Sequence, residues 1–137
     1  FDLENSHVLG ATINKVLDDN TNEISVWGDG SEERDLLYIS DLVDSVVKLL
    51  SFKDKSFFYI FNIGSGSVIS IKRLTTLIMG ISGIKDKKVV YDALKPSVKT
   101  SISLDCSKAK IVLGWYPKIS LENGIENTIS WYKKIIK

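Results

Sequence analysis

A tyrosine and a lysine four residues apart, Tyr91 and Lys95, have the spacing most readily read as catalytic. On a helix, positions i and i+4 share a face, and a lysine held there can lower the tyrosine pKa for proton transfer. The surrounding residues argue against that use. The pair follows KKVVY, which reads as a strand, and Lys95 precedes Pro96, which pushes it away from helical angles. No helix is expected to carry both residues.

Two glycine pairs, Gly28-Asp29-Gly30 and Gly64-Ser65-Gly66, invite a phosphate-loop reading. A dinucleotide fingerprint needs a third glycine for the helix–strand contact. Glu33 and Ile69 stand at the positions where it would fall. Acidic Glu32 and Glu33 would also repel a phosphate beside the first pair. The second pair lies between an apolar run and a helix, but the expectation for both is a turn.

His7 and Cys106 are the only histidine and the only cysteine, so the chain cannot build a structural zinc site or an internal disulfide by itself. Arg34 follows an acidic loop; its planar guanidinium suits either phosphate oxygens or a neighbouring carboxylate. Trp27, taken alone, reads as a partly buried core aromatic.

The elements that would carry these residues alternate. Val8, Leu9, Ile13, Val16 and Leu17 have helical spacing, with Asn5 or Ser6 as the cap. Ile24 to Trp27 reads as a strand, and Asp35 to Ile39 as another. Ser40 or Asp41 then caps a helix with Leu42, Val43, Val46, Val47 and Leu50 on one face. Phe57 to Ile63 is almost wholly apolar, as expected of a strand buried on both faces of a parallel sheet. Ser70 caps a helix closed by Gly83, Lys88 to Tyr91 is a short strand, and Ser101 to Leu104 is extended. A short helix from Lys108 to Leu113 stops at Gly114. A last helix capped by Ser120 turns Leu121, Ile125, Ile129, Tyr132 and Ile136 inward. The pattern predicts an α/β fold.

Composition fits that reading. The chain has 137 residues, 44% apolar and 26% charged, with a net charge of +1, which gives no reason to expect nucleic acid or a membrane as partner. No apolar run reaches the roughly 18 residues of a spanning helix. The cysteine usage fits a reducing compartment, and a cytoplasmic location is expected. The opening at Phe1, without methionine, is what a fragment or a processed product looks like, and composition alone does not separate the two.

Three stretches together carry a family resemblance: NSHVLGATINK, VWGDGSEERDLLYISDLVDSVVKLL and LGWYPKISLENGIENTISWYKK. The chain resembles the C-terminal, substrate-binding portion of an extended short-chain dehydrogenase/reductase of the NAD-dependent epimerase/dehydratase family. The GDP-L-fucose synthase group is the closest pattern. The resemblance implies that residues 1–137 form the substrate-binding lobe, with 40–66 supplying a helix and strand to a Rossmann sheet whose other members are missing. It places His7 beside bound NADP or NAD. Lys15, Trp27, Arg34, Asp92 and Lys95 would border a nucleotide-diphosphate sugar, a GDP-sugar by preference, with Arg34 on the diphosphate. The catalytic serine, tyrosine and lysine of such enzymes have no equivalent here, so the parent is an enzyme while this chain alone is expected to be inactive and to bind no cofactor tightly. After Lys95-Pro96 the group reads Asp-Gly-Thr-Pro-Arg-Lys, whereas this chain has Ser97 to Ile102. The matching resumes at Leu104-Asp105. A UDP-sugar 4-epimerase, a nucleotide-sugar dehydratase and a non-catalytic binding or assembly module are the alternatives. An uncovered helix and strand lead to the expectation that the chain self-associates, or refolds the strand against its own core, instead of remaining a native-like monomer.

Overall fold

The computed structural model describes residues 6–53, 58–95 and 101–135. The first helix, α1 (Val8–Leu17), buries Thr12, Ile13 and Val16. It leads into strand β1 (Glu23–Trp27), whose residues alternate between solvent and core, with Ile24 and Val26 inward. That period of two leaves Ser25 and Trp27 on the outer face.

Strand β2 is only Glu33–Arg34, and helix α2 (Ile39–Ser51) follows it after four residues without regular structure. Strand β3 (Ile69–Ser70) pairs antiparallel with β2, and helix α3 (Ile71–Ser82) grows directly out of it. Ser70 caps α3 by accepting from the Arg73 amide, and Gly83 ends the helix in the left-handed region. Strand β4 (Lys88–Asp92) lies parallel to β1, so the chain returns to its first strand after crossing α2 and α3. Helix α4 (Ser107–Leu113) and helix α5 (Leu121–Ile135) complete the fold.

Helices α1, α3 and α5 pack in series beside the β1–β4 pair. Ile13, Val16, Ile24, Leu74 and Ile78 are fully buried between them, with Ile125 and Ile129 closing the core from α5. Burying each such side chain stabilises the fold by about 1.5–3 kcal/mol. The result is the α/β class that the alternation predicts.

Several boundaries differ from the sequence reading. The residue before α1 is His7, with no side-chain cap, and Ser6 keeps a buried hydroxyl without a hydrogen-bond partner among the described residues. Asn5, Phe57 and Ile136 lie outside the described residues. The expected strand over Asp35 to Ile39 is absent because Asp35 turns inward to hold another loop, described below. Helix α2 begins at Ile39, after Tyr38, so neither Ser40 nor Asp41 is its cap. Residues 58–63 belong to no strand among the described residues. A strand exists only where a neighbour supplies a ladder, and here the segment lies against side chains instead.

Helix α2 is amphipathic in reverse. Its buried residues are Asp41 and Ser45, while Val43, Val46, Val47 and Leu50 are between 48% and 82% exposed.

Candidate functional site

The carboxyl ends of β1 and β4 bring together four of the residues singled out from the sequence. Trp27 and Asp92 are register partners at the last position of their strands. The Gly28 and Lys95 amides both donate to the Asp92 carbonyl, at 2.8 and 3.2 Å, and the Leu94 amide donates to Oδ1 of the same residue. These bonds fold residues 92–95 into a tight turn. The turn returns Lys95 over the indole of Trp27, with Nζ 5.8 Å from the ring centroid. Lys15, in the last turn of α1, donates from Nζ to the Ser25 carbonyl at 2.8 Å, two residues before Trp27 on the same strand. Burial pushes the Lys15 pKa down. Lys87 donates to the Lys15 and Asp18 carbonyls, filling acceptors that the end of α1 leaves open.

An exposed aromatic ring with one ammonium over it, and a second held at the Ser25 carbonyl on the same strand, suits a ligand with a flat ring and negative charge. The position is also where ligands of parallel α/β sheets bind, outside the carboxyl ends of the strands.

Arg34 and His7 stand apart from that cluster. Arg34, on β2, donates from Nη1 to the Glu33 carbonyl at 2.7 Å and lines a groove of about 300 Å³ with Ser65, Ser67, Lys118 and Ser120. Lys15, Trp27, Asp92 and Lys95 do not line that groove. Exposed His7 lies at the start of α1, two residues before Leu9, which borders a second groove of about 420 Å³ with Tyr38, Ile119 and Trp131.

Tyr91 and Lys95 do not form a catalytic pair. Tyr91 is in β4 and Lys95 in the turn, so no helix aligns them. The ring of Tyr91 lies against Gly30 and under Lys72, and burial pushes its pKa up, opposite to what a proton-transfer tyrosine requires. Cys106 is likewise no thiolate. Burial raises its pKa and the nearby Asp35 and Asp105 charges add to this, against a hydrogen bond to the Gly64 carbonyl that lowers it.

The second glycine pair is a turn already filled by an anion of the chain's own. The Asp35 carboxylate accepts from the Ser65 amide at 2.8 Å, the Ser65 hydroxyl at 2.5 Å, the Gly66 amide at 3.1 Å and the Leu104 amide at 3.2 Å. Burial works against ionisation there, but the bonds from Ser65, Leu104 and Gly66 together outweigh it and hold the carboxyl below its ordinary range. The amides that a phosphate would use are occupied.

Asp41 does for residues 115–119 what Asp35 does for 64–66. Its Oδ2 accepts from the Lys118 and Ile119 amides at 3.1 and 3.0 Å, and its carbonyl accepts from the fully buried Trp115 indole at 3.0 Å. Sequence reasoning assigned neither aspartate this work. The available signal was an aspartate placed six residues before another in an otherwise mostly apolar stretch, RDLLYISD, with no basic residue between the two to pair either one.

Residues 1–64 match the NAD dependent epimerase/dehydratase family. Over 135 residues the chain is 40% identical to a putative GDP-L-fucose synthase 2 of Arabidopsis thaliana, covering 96% of this chain and 40% of that protein. A crystal structure of UDP-glucose 4-epimerase with UDP-glucose from Thermotoga maritima superposes with a TM-score of 0.82 at 31% identity, covering 96% of this chain and 41% of that one. A GDP-6-OMe-4-keto-L-xylo-heptose reductase from C. jejuni superposes with a TM-score of 0.83 at 25% identity, covering 98% and 49%. The chain thus spans less than half the length of these relatives. Among the described residues, no helix is long and apolar enough to cross a membrane.

Proposed function

The chain is related to the NAD dependent epimerase/dehydratase family, and on that premise we propose that it is the nucleotide-sugar-binding portion of a GDP-L-fucose synthase-like epimerase/reductase using NADP or NAD. The observation that carries this reading is the group at the strand ends, where Lys95 covers Trp27 beside Asp92 and Lys15. In this reading Trp27 stacks on the ligand's flat ring, Lys15 and Lys95 offset its negative charge, and Asp92 holds the turn that aims Lys95. Arg34 binds the diphosphate, reaching it from β2. Positioning of this kind contributes to catalysis by orientation. No residue here is assigned a proton or hydride, and the chain alone is expected not to turn over.

A dinucleotide fits the described residues poorly, because the Ser65 and Gly66 amides already hold Asp35. We therefore place the nicotinamide cofactor mainly on a separate dinucleotide-binding domain, with His7 as one contact from this chain. Residues 40–66 are proposed to complete that domain's sheet. The outward apolar face of α2 supports this, since such a face calls for a covering surface. The cofactor would supply hydride chemistry at the sugar.

A UDP-sugar epimerase is the second reading, favoured by the likeness to the Thermotoga maritima enzyme solved with UDP-glucose. Calorimetric titration of the chain with GDP, UDP and NADP separates the possibilities. GDP binding that is tighter than UDP binding, and lost in Trp27→Ala, is the expected result. The reverse order favours the second reading. A micromolar dissociation constant for NADP would overturn the placement of the cofactor.

A further inference from the structure

Arg34 stands between two acids, and both reach the same stretch of chain. A carboxylate oxygen of Glu33 accepts from the Ser101 hydroxyl, and Oδ2 of Asp35 accepts from the Leu104 amide at 3.2 Å. Residues 101–104 thus form a strap alongside the arginine. Arg34 itself pairs in register with Ile69 of β3 and donates to the Glu33 carbonyl.

The far end of the strap is tightly seated. A Cβ on Gly64 would lie 3.0 Å from both Oδ2 of Asp35 and Cδ1 of Leu104, so a larger residue there would press the three apart. Just beyond, Cys106 donates from Sγ to the Gly64 carbonyl, and Asn62 donates from Nδ2 to the Asp105 carbonyl at 3.1 Å. The near end continues the chain from Lys95, six residues before Ser101, whose ammonium lies over Trp27. A second route leaves Trp27 along the backbone and reaches Arg34 in seven residues. It is pinned at the Gly30 and Glu32 carbonyls, which accept from the Lys72 and Ile71 amides at 2.9 Å each. Trp27 and Arg34 are therefore joined twice, once through residues 27–34 and once through residues 95–104. The Glu33–Ser101 bond closes the second path beside the arginine.

We propose that Glu33 is a positioning residue: by holding Ser101 it sets the span between the Trp27–Lys95 pair and Arg34, and so favours ligands that carry a flat ring and a diphosphate in one molecule. This rests on the function proposed above. Once one group of such a ligand is bound, the other meets its subsite at an effective concentration set by how well the ligand's length matches the span. A looser span still admits the separate pieces but loses the gain from joining them. Ser101 is exposed, so core packing does not account for its bond to Glu33.

Titration of the whole chain with GDP, guanosine and inorganic pyrophosphate, read by NMR shifts of the Trp27 indole and Arg34 guanidinium N–H groups, tests this. Ser101→Ala should weaken GDP binding by about tenfold while guanosine and pyrophosphate keep their wild-type affinities. Ser101→Thr, which keeps the hydroxyl, should behave as the wild type. Unchanged GDP affinity in Ser101→Ala overturns the proposal. So does an equal loss for all three ligands, which would mean that the fold has loosened generally. A wild type that binds GDP while either piece alone leaves its own residue unshifted has no such pair of subsites, and also overturns it. A wild type that binds none of the three removes the functional reading itself, and the proposal with it.

Discussion

The Asp35 carboxylate sits where a bound anion would sit on the Gly64-Ser65-Gly66 loop, accepting the Ser65 amide at 2.8 Å across thirty residues of sequence. One side chain therefore fixes the loop, the Leu104 backbone and the residue beside Arg34. Asp35→Asn leaves one amide group where an acceptor was needed and should cost about 1–3 kcal/mol of stability, read as a shift in urea midpoint.

The same residue sets an acid limit. Asp35 has a lowered pKa in the folded chain, so the unfolded chain binds its proton more readily. Its contribution is fully present above the unfolded value of about 3.9 and is lost as pH falls through the lower folded value. The stability gap between wild type and Asp35→Asn should be constant near neutrality and shrink in that acid window. A gap that does not change with pH there would show the carboxylate's charge to be irrelevant.

Helix α2 predicts an inverted mutational pattern. Asp41→Ala strands the Lys118 and Ile119 amides and should cost about 2–3 kcal/mol. Val47→Ser, at a site 57% exposed, should change stability by no more than about 0.5 kcal/mol. Urea denaturation of both variants checks this, and a larger loss for Val47→Ser would place the apolar face inward after all.

Gly30 has φ of +74°, and a Cβ there would lie 2.7 Å from Cε1 of Tyr91. Gly30→Ala combines backbone strain with a clash and should cost about 1–3 kcal/mol. Adding Tyr91→Ala should remove the steric part and leave the backbone part. Full recovery in the double variant would mean the positive φ carries no cost.

In an intact enzyme carrying this chain, Arg34→Ala should weaken nucleotide-sugar binding by about 1.5–3 kcal/mol, with Arg34→Lys recovering only part of it because an ammonium lacks the planar fork. Unchanged KM and kcat in Arg34→Ala would leave Arg34 as a structural partner of its own loop.

The helices were legible because burial imposes a 3.6-residue period on α1, α3 and α5 that needs no distant information. Gly83 and Gly114 mark helix ends for the same local reason. Of the candidate residues, Lys15, Trp27, Asp92 and Lys95 come together, but only the parallel register of β1 with β4 does this, and no local pattern encodes that pairing. The misread stretches are those whose state depends on a partner. Residues 58–63 have the composition of a strand, yet composition supplies no neighbour. Asp35 and Asp41 look like surface acids until the amides they hold, thirty and more than seventy residues away, are known.

Trp115 is fully buried with its indole donating to Asp41, whereas Trp27 and Trp131 are 56% and 53% exposed. The three tryptophans consequently divide the chain's intrinsic fluorescence into separate channels. Iodide reaches the two outer indoles, and the unquenched, blue-shifted remainder comes from the one seated against α2. Emission from Trp115 thus reports whether α2 is still attached to the body, while quenchable emission reports events at Trp27 and Trp131. Helix detachment and, in the function proposed above, ligand occupancy at Trp27 can be followed in a single cuvette without adding a label.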